Sequence, residues 1–384
     1  MNSIQINLVQ FCLLLVVIGF CQTIFADRAD INQLPRLKNM GQQINVFTIW
    51  ENPTYVCVKI PYLTSMSNGN LIAFGEARVG SCSDYTETHL VYKISSDNGK
   101  TWKNPDNDTD SIKILYMVKG QVVGNAGPVM LQNGRLVVLF NVNNLDNYEI
   151  HSDDFGVTWS EAKLLSGVSE PDWKWVGIGP PAGIQLESGR ILIPAYHTKY
   201  LKENGLISWG HTIISDDMGS TWRMNKANHY YSILKWPNEA QAVDLGNNTV
   251  LINSRNAAGI KRIQTYSYDG GETFGPIETV SEMNQPITGC EGSTFYSKKT
   301  DSIYVTAILP LKGDYLYRQN LVLYRSTDKG KTWELLFMIK EGPTAYSALA
   351  INNGSLVVLY ESSDKKELVF IPNRIIFQDL GIDA

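Results

Sequence analysis

Helical periodicity is scarce in this 384-residue chain, and proline and glycine are spread evenly along it. That combination excludes a helical bundle and leaves an all-β chain of many short strands with no internal linker. There is no basic excess either: 33 Lys and Arg against 38 Asp and Glu give a net charge of -5, so nucleic acid is not an expected partner. Histidine is rare, at positions 89, 151, 197, 211 and 229, and forms no HExxH pair. With no paired cysteine spacing beside it, neither a catalytic metal nor a metal cofactor is expected. The nucleophile elbow GxSxG, the Walker loop and the dinucleotide fingerprint are missing as well, so no cofactor is expected at all.

Long apolar runs are missing beyond the start of the chain. The run from about Leu8 to Phe20, followed by a more polar stretch ending at Ala26, reads as a secretory signal over residues 1–26. It is short for a membrane span, and no later stretch qualifies. The expectation is a secreted or lumenal protein without a membrane span, its residues 27–384 forming a single domain. Sequons at Asn107, Asn247 and Asn353 are compatible with export. Cysteine is scarce too. Without the leader only Cys57, Cys82 and Cys290 remain, which allows one bridge at most and excludes a disulfide scaffold. Cys57 paired with Cys82, or three buried thiols, are both open readings.

What is present is a repeated turn. Ser-x-Asp-x-Gly-x-Thr-aromatic occurs at Ser95–Trp102, Ser152–Trp159, Ser215–Trp222, Ser267–Phe274 and Ser326–Trp333. Asp and Ser can accept backbone N–H bonds, Gly can take φ > 0, and the closing aromatic can fold back onto a core. Copies about 50 to 65 residues apart are too far apart for a solenoid and suit propeller blades of about four strands. A second repeat, a turn signal followed by an apolar strand, begins at Leu71, Leu136, Ile191, Val250, Ile303 and Leu356. Six copies predict a six-bladed β-propeller with five Asp-box turns. After the sixth comes the strand-like Leu368-Val369-Phe370-Ile371 but no turn box, so a strand from near the N-terminus should complete the last blade and remove its open edge.

Five residues on from the first apolar position of each strand stand Glu76, Asn141, Tyr196, Arg255, Ile308 and Glu361. The partner strands enter at the same end with Lys59, Asn125, Gly179, Glu239 and Tyr346. Equivalent positions in successive blades ring one axis, so these charged groups should converge on one face and form a ligand site.

These residues also carry a resemblance. Val58-Lys59-Ile60-Pro61, Gly75-Glu76-Ala77-Arg78, Asn238-Glu239-Ala240-Gln241, Asn253-Ser254-Arg255, Ala345-Tyr346-Ser347 and Leu359-Tyr360-Glu361, set among the Asp-boxes, resemble the exo-α-sialidases (neuraminidases). The match runs over essentially the whole chain after residue 26. It implies hydrolysis of terminal α-linked sialic acids on glycoproteins, oligosaccharides and gangliosides, with retention. The family holds the substrate carboxylate with three arginines, because planar guanidinium groups bind carboxylates through two parallel hydrogen bonds. Arg255 matches the second and Arg318 the third, with Arg325 as the alternative. At the first position this chain has Lys59, a point charge without the fork.

By the same resemblance Tyr346 is the nucleophile, neutral and therefore not repelled by an anionic substrate, and Glu239 is the base that takes its proton. Asp84 is the acid/base. Glu361 orients the cation at Lys59, Glu76 and Arg78 face the ring substituents, and Tyr196 contacts the glycerol tail or lies in the wall. Trp173, Trp175, Trp209 and Trp236 are open as sugar platforms or core residues. Two alternatives follow from Lys59. One is a related enzyme that transfers sialic acid or takes another nonulosonic acid, and the other is an inactive propeller that binds sialoglycans.

Overall fold

The computed structural model describes residues 34–37, 40–49, 52–202, 205–225, 232, 234–310, 315–364 and 372–384. The expected leader at 1–26, the segment Leu368–Ile371 and His229 lie outside them. Among the described residues there is no helix.

After β1 (Ile44–Thr48) the chain runs through successive antiparallel sheets. The first is β2 (Tyr55–Ser65), β3 (Leu71–Val79), β4 (Thr88–Ser95) and β5 (Lys113–Tyr116), paired in that order. The second is β6 (Val123–Met130), β7 (Leu136–Val142), β8 (Asp146–Ser152) and β9 (Lys163–Leu164). In the third, β10 (Trp175–Ile178) and β11 (Ile184–Gln185) both pair with β12 (Ile191–Leu201), followed by β13 (Gly205–Ser215) and β14 (Arg223–Met224). The fourth is β15 (Pro237–Asp244), β16 (Val250–Asn256), β17 (Lys261–Ser267) and β18 (Glu278–Asn284).

The last sheet has seven strands. It contains β19 (Thr294–Ser297), β20 (Ser302–Ile308), β21 (Gln319–Ser326), β22 (Glu334–Asn352), β23 (Ser355–Ser362) and β24 (Arg374–Asp383), and β1 closes its edge on β24. The strand from near the N-terminus therefore does complete the final sheet. The long β22 pairs with β21 through its first half and with β23 through its second.

The leading strands of the sheets meet at the centre. Segments of β2, β6, β15, β19 and β22, with the residues around β11, line one central cavity of about 330 Å³. This is a propeller-like arrangement of radially packed sheets.

The repeated turns bind each sheet to the one before it. In all five copies the Ser hydroxyl accepts the Gly N–H, and the Asp carboxylate accepts both the N–H and the hydroxyl of the Thr. The Gly then lies against the preceding sheet. A Cβ on Gly99 would stand 2.1 Å from Phe377 in β24, and one on Gly271 would stand 2.1 Å from Leu192 in β12. Only glycine fits that approach, and its φ near +85° is also one that glycine alone adopts without strain. The aromatic follows: the Trp159 indole donates to the Tyr92 hydroxyl of the first sheet at 3.0 Å, and Trp102 meets the Phe377 ring edge-on at 5.3 Å.

Candidate functional site

At one end of the ring four leading strands carry the same defect. Between Lys59 and Tyr62 of β2, Gly124 and Gly127 of β6, Pro237 and Ala240 of β15, and Thr344 and Ser347 of β22, the register slips. In each, three steps along the leading strand oppose two along its partner, which is one inserted residue. Such bulges re-aim side chains that strict alternation would send to a sheet face. The extra segments hold Ile60, Asn125, Glu239 and Tyr346, all of which line a cleft of about 320 Å³. Ile60 (φ 52°) and Asn125 (φ 50°) take left-handed backbone. For Asn that is common, but for a β-branched residue it is a strained conformation.

Tyr346, Glu239 and Arg255 form one wall. The Tyr346 hydroxyl donates to Glu239 Oε1 at 2.6 Å. Arg255 Nη1 donates to Glu239 Oε2 at 2.7 Å and to the Tyr346 hydroxyl at 3.2 Å. Thr288 accepts the Arg255 Nε–H at 2.8 Å and fixes the plane of the guanidinium. Burial, and then the charge of Glu239, hold the Tyr346 phenol well above its usual pKa, with Arg255 and Arg318 pulling the other way. The Arg318 guanidinium lies 5.1 Å from the centre of the Tyr346 ring. Behind this wall buried Glu291 accepts the Ser347 N–H at 2.8 Å, fixing the backbone next to Tyr346.

Glu76, Arg78 and Asp84 form a second group lining the same cleft. Buried Glu76 accepts from the Tyr62 hydroxyl at 2.9 Å, from the Asn125 N–H at 2.8 Å and from Arg78 at 3.0 Å. Arg78 also donates to Asp84 at 2.6 Å and to the Cys82 carbonyl at 2.7 Å. The Cys57–Cys82 disulfide ties this loop to β2, which resolves the two readings of the cysteines in favour of the pair; Cys290 is a buried free thiol. Burial alone would raise the pKa of Asp84, but Arg78 and Lys59 outweigh it and hold the carboxyl below its usual value. Asn144 bridges this group, accepting from the Asn125 amide at 2.9 Å and donating to the Asp84 carbonyl at 3.3 Å.

Tyr196 and Trp175 complete the cleft. The Trp175 indole donates to the Tyr196 hydroxyl at 3.0 Å, and Gly177 opposite leaves room for that ring, since a Cβ there would stand 2.1 Å from it. Of the four open tryptophans, Trp175 lines the cleft, Trp173 stacks on His197 at 3.7 Å in the interior, and Trp209 and Trp236 are half-buried.

Glu76, Arg78, Asp84, Tyr196, Glu239, Arg255 and Tyr346 thus share one cleft, whereas Lys59, Arg318 and Glu361 are not among its lining residues. Lys59 is buried, and desolvation lowers its pKa against the pull of Glu361. Lys59 makes no ion pair among the described residues; Glu361 accepts the Ile60 N–H at 2.7 Å, and its charge favours the Lys59 ammonium. The alternative Arg325 also lies outside the cleft lining. It is on β21, ion-paired to Glu334, and a third or more of its side chain is in solvent. Asn141 bonds to Asn147 within its own sheet, and Ile308 belongs to the hydrophobic core.

A propeller-like β-protein with a charged cleft at its axis is the class that fold and site define. Residues 127–359 match the family described as BNR repeat-like domain, and the chain belongs to that family. Sialidase-2 of Cricetulus griseus is 28% identical over 363 residues, covering 84% of this chain and 93% of the relative. Sialidase of Paraclostridium sordellii is 26% identical over 349 residues, covering 80% and 82%. Among solved structures, the Hadza microbial sialidase Hz136 aligns with a TM-score of 0.70 at 20% identity, over 87% of this chain and 68% of that one. The intramolecular trans-sialidase from Ruminococcus gnavus aligns at 0.71 and 16%, over 88% and 97%. At those identities the structural matches establish the fold alone.

The cradle of Glu76 gives a prediction. A Cβ on Gly124 would stand 2.4 Å from Glu76 Oε1, so Gly124→Ala must displace a carboxylate that holds three donors. The expected loss is about 1–3 kcal/mol in chemical denaturation, as for other overpacked sites. An unchanged midpoint would mean that the carboxylate is not held as described.

Proposed function

We propose that this chain is an exo-sialidase that removes terminal α-linked sialic acid from glycoconjugates with retention, using Tyr346 as nucleophile. The observation that carries the reading is the 2.6 Å hydrogen bond from Tyr346 to Glu239 inside a cleft that Arg255 also lines. A phenol with a high pKa is a poor nucleophile unless a base takes its proton as it attacks, and Glu239 is placed to do so. The Tyr346 oxygen bonds to the anomeric carbon, the glycosidic bond breaks, and Asp84 gives its proton to the leaving oxygen. In the second half, Asp84 takes a proton from water, the hydroxide displaces the phenolate, and Glu239 returns the proton to Tyr346. Arg255 and Arg318, with Lys59, supply the positive charge for the substrate carboxylate.

The curated relatives named sialidases, matched over most of their length, support the reading. We count the seven-stranded sheet as two blades sharing β22, which gives six blades carrying five Asp-boxes. The Cys57–Cys82 disulfide supports residues 1–26 as an export leader, since such bonds persist in oxidising compartments. One observation favours a second reading: Lys59 is buried and outside the cleft lining, so the carboxylate pocket differs from a three-arginine clamp. That favours transfer to an acceptor sugar, or a related nonulosonic acid.

Release of methylumbelliferone from its α-sialoside tests both. Wild type should turn over, and Tyr346→Phe should lose on the order of 10³-fold or more in kcat. Lys59→Arg should lower KM if the missing fork weakens carboxylate binding. Wild type that binds sialosides without any turnover would leave a sugar-binding propeller in place of an enzyme.

Asp84 gives the pH dependence. Arg78 keeps it ionised, yet a proton donor must be protonated, so kcat/KM should fall as pH rises through the Asp84 pKa. Arg78→Met removes the positive charge, raises that pKa and should move the descending limb to higher pH. A limb that stays in place in this variant assigns the proton to another group.

A further inference from the structure

The cleft is lined by three cations, and two of them are committed. Arg78 is held by Glu76 and Asp84, and Arg255 by Glu239. The third, Lys174, is exposed at the rim and makes no ion pair among the described residues. Its acidic neighbour Asp172 is already paired with Lys199 at 2.9 Å. The position of Lys174 is fixed by its backbone, whose N–H donates to the Thr198 carbonyl at 2.9 Å just before β10. Next to it Trp175 meets the ring of Tyr85 edge-on at 5.7 Å, and Tyr85, 79% exposed, directly follows Asp84. The loop that carries the proton donor, the Tyr85–Trp175 pair and the uncommitted ammonium therefore follow one another along one side of the cleft.

We propose that Lys174 reads an anionic group on the departing sugar, a carboxylate or a sulfate, so that the enzyme favours acidic over neutral leaving groups. The inference rests on the reading that Asp84 faces the leaving oxygen. A leaving sugar bonded to that oxygen lies against Tyr85 and Trp175, which offer an apolar edge to a sugar ring. A negative substituent on it then comes within reach of an ammonium that makes no ion pair among the described residues. Because the site is solvated, the gain is that of an exposed ion pair: real, modest and sensitive to salt.

The test compares kcat/KM of the full chain for three substrates: sialyllactose, whose departing lactose is neutral, a sialyllactose sulfated on its lactose, and an α2,8-linked disialoside. Lys174→Gln should lower the ratio of acidic to neutral kcat/KM by about two- to fivefold, the size of an exposed ion pair. Lys174→Glu should lower the ratio further, and added salt should shrink the wild-type preference towards that of Lys174→Gln. A fall confined to one acidic substrate supports the proposal and identifies the anion read. A ratio unmoved by either substitution, while wild type hydrolyses all three, overturns the role of Lys174 and leaves the sialidase reading standing. Failure of wild type to hydrolyse any of them overturns both.

Discussion

An antiparallel strand sends its side chains alternately to the two faces of its sheet, so a ring of radially packed sheets has nothing to aim along its axis. The four matching bulges on the leading strands supply that direction, and the rest of the site depends on them. They turn Tyr346 and Glu239 towards each other and bring the Asn125 N–H onto Glu76. In β2 the bulge forces Ile60 into a conformation that costs about 1–3 kcal/mol in general. Glu361 holds it there through the Ile60 N–H, while the disulfide from Cys57 secures the strand on the other side.

A frame that keeps strained strands in register must be stiff, and the five turns provide this. Each is closed by its own Ser and Asp and seated by a glycine on the neighbouring sheet, so every sheet is latched to the one before it. Within the cleft the charges are arranged in closed groups: Glu239 with Arg255 and Tyr346, and Glu76 with Arg78 and Asp84. Buried charges are tolerated when paired and hydrogen-bonded in this way. Lys59, beside the cleft, makes no ion pair among the described residues; burial lowers its pKa, and the charge of Glu361 opposes that shift.

The turns were legible in the sequence because a Ser-x-Asp-x-Gly-x-Thr box carries its own hydrogen bonds. The strand phase was legible too, and it led to Glu76, Tyr196 and Arg255 in the cleft. It failed at Asn141, Ile308 and Glu361, because counting along a strand fixes the sheet face and depth but not what the adjoining loops cover. The bulges were hidden, since one extra residue leaves the hydrophobic pattern intact; Ile60-Pro61 and Asn125-Ala126 mark them only in retrospect. Asn144 and Tyr62 escaped because each gains its role from partners far away in sequence. Cys57 with Cys82, and Trp175 among its fellow tryptophans, needed spatial proximity, which spacing alone does not provide.

If Tyr346 is the nucleophile, its oxygen becomes covalently bonded to the sugar. The direct measurement is incubation with a 3-fluorosialosyl fluoride, which slows breakdown of a glycosyl–enzyme, followed by proteolysis and peptide mass spectrometry. One added sugar is expected on the peptide containing Tyr346, at that residue. A label on Glu239 or Asp84, or hydrolysis of natural sialosides with inversion and no label, would contradict it.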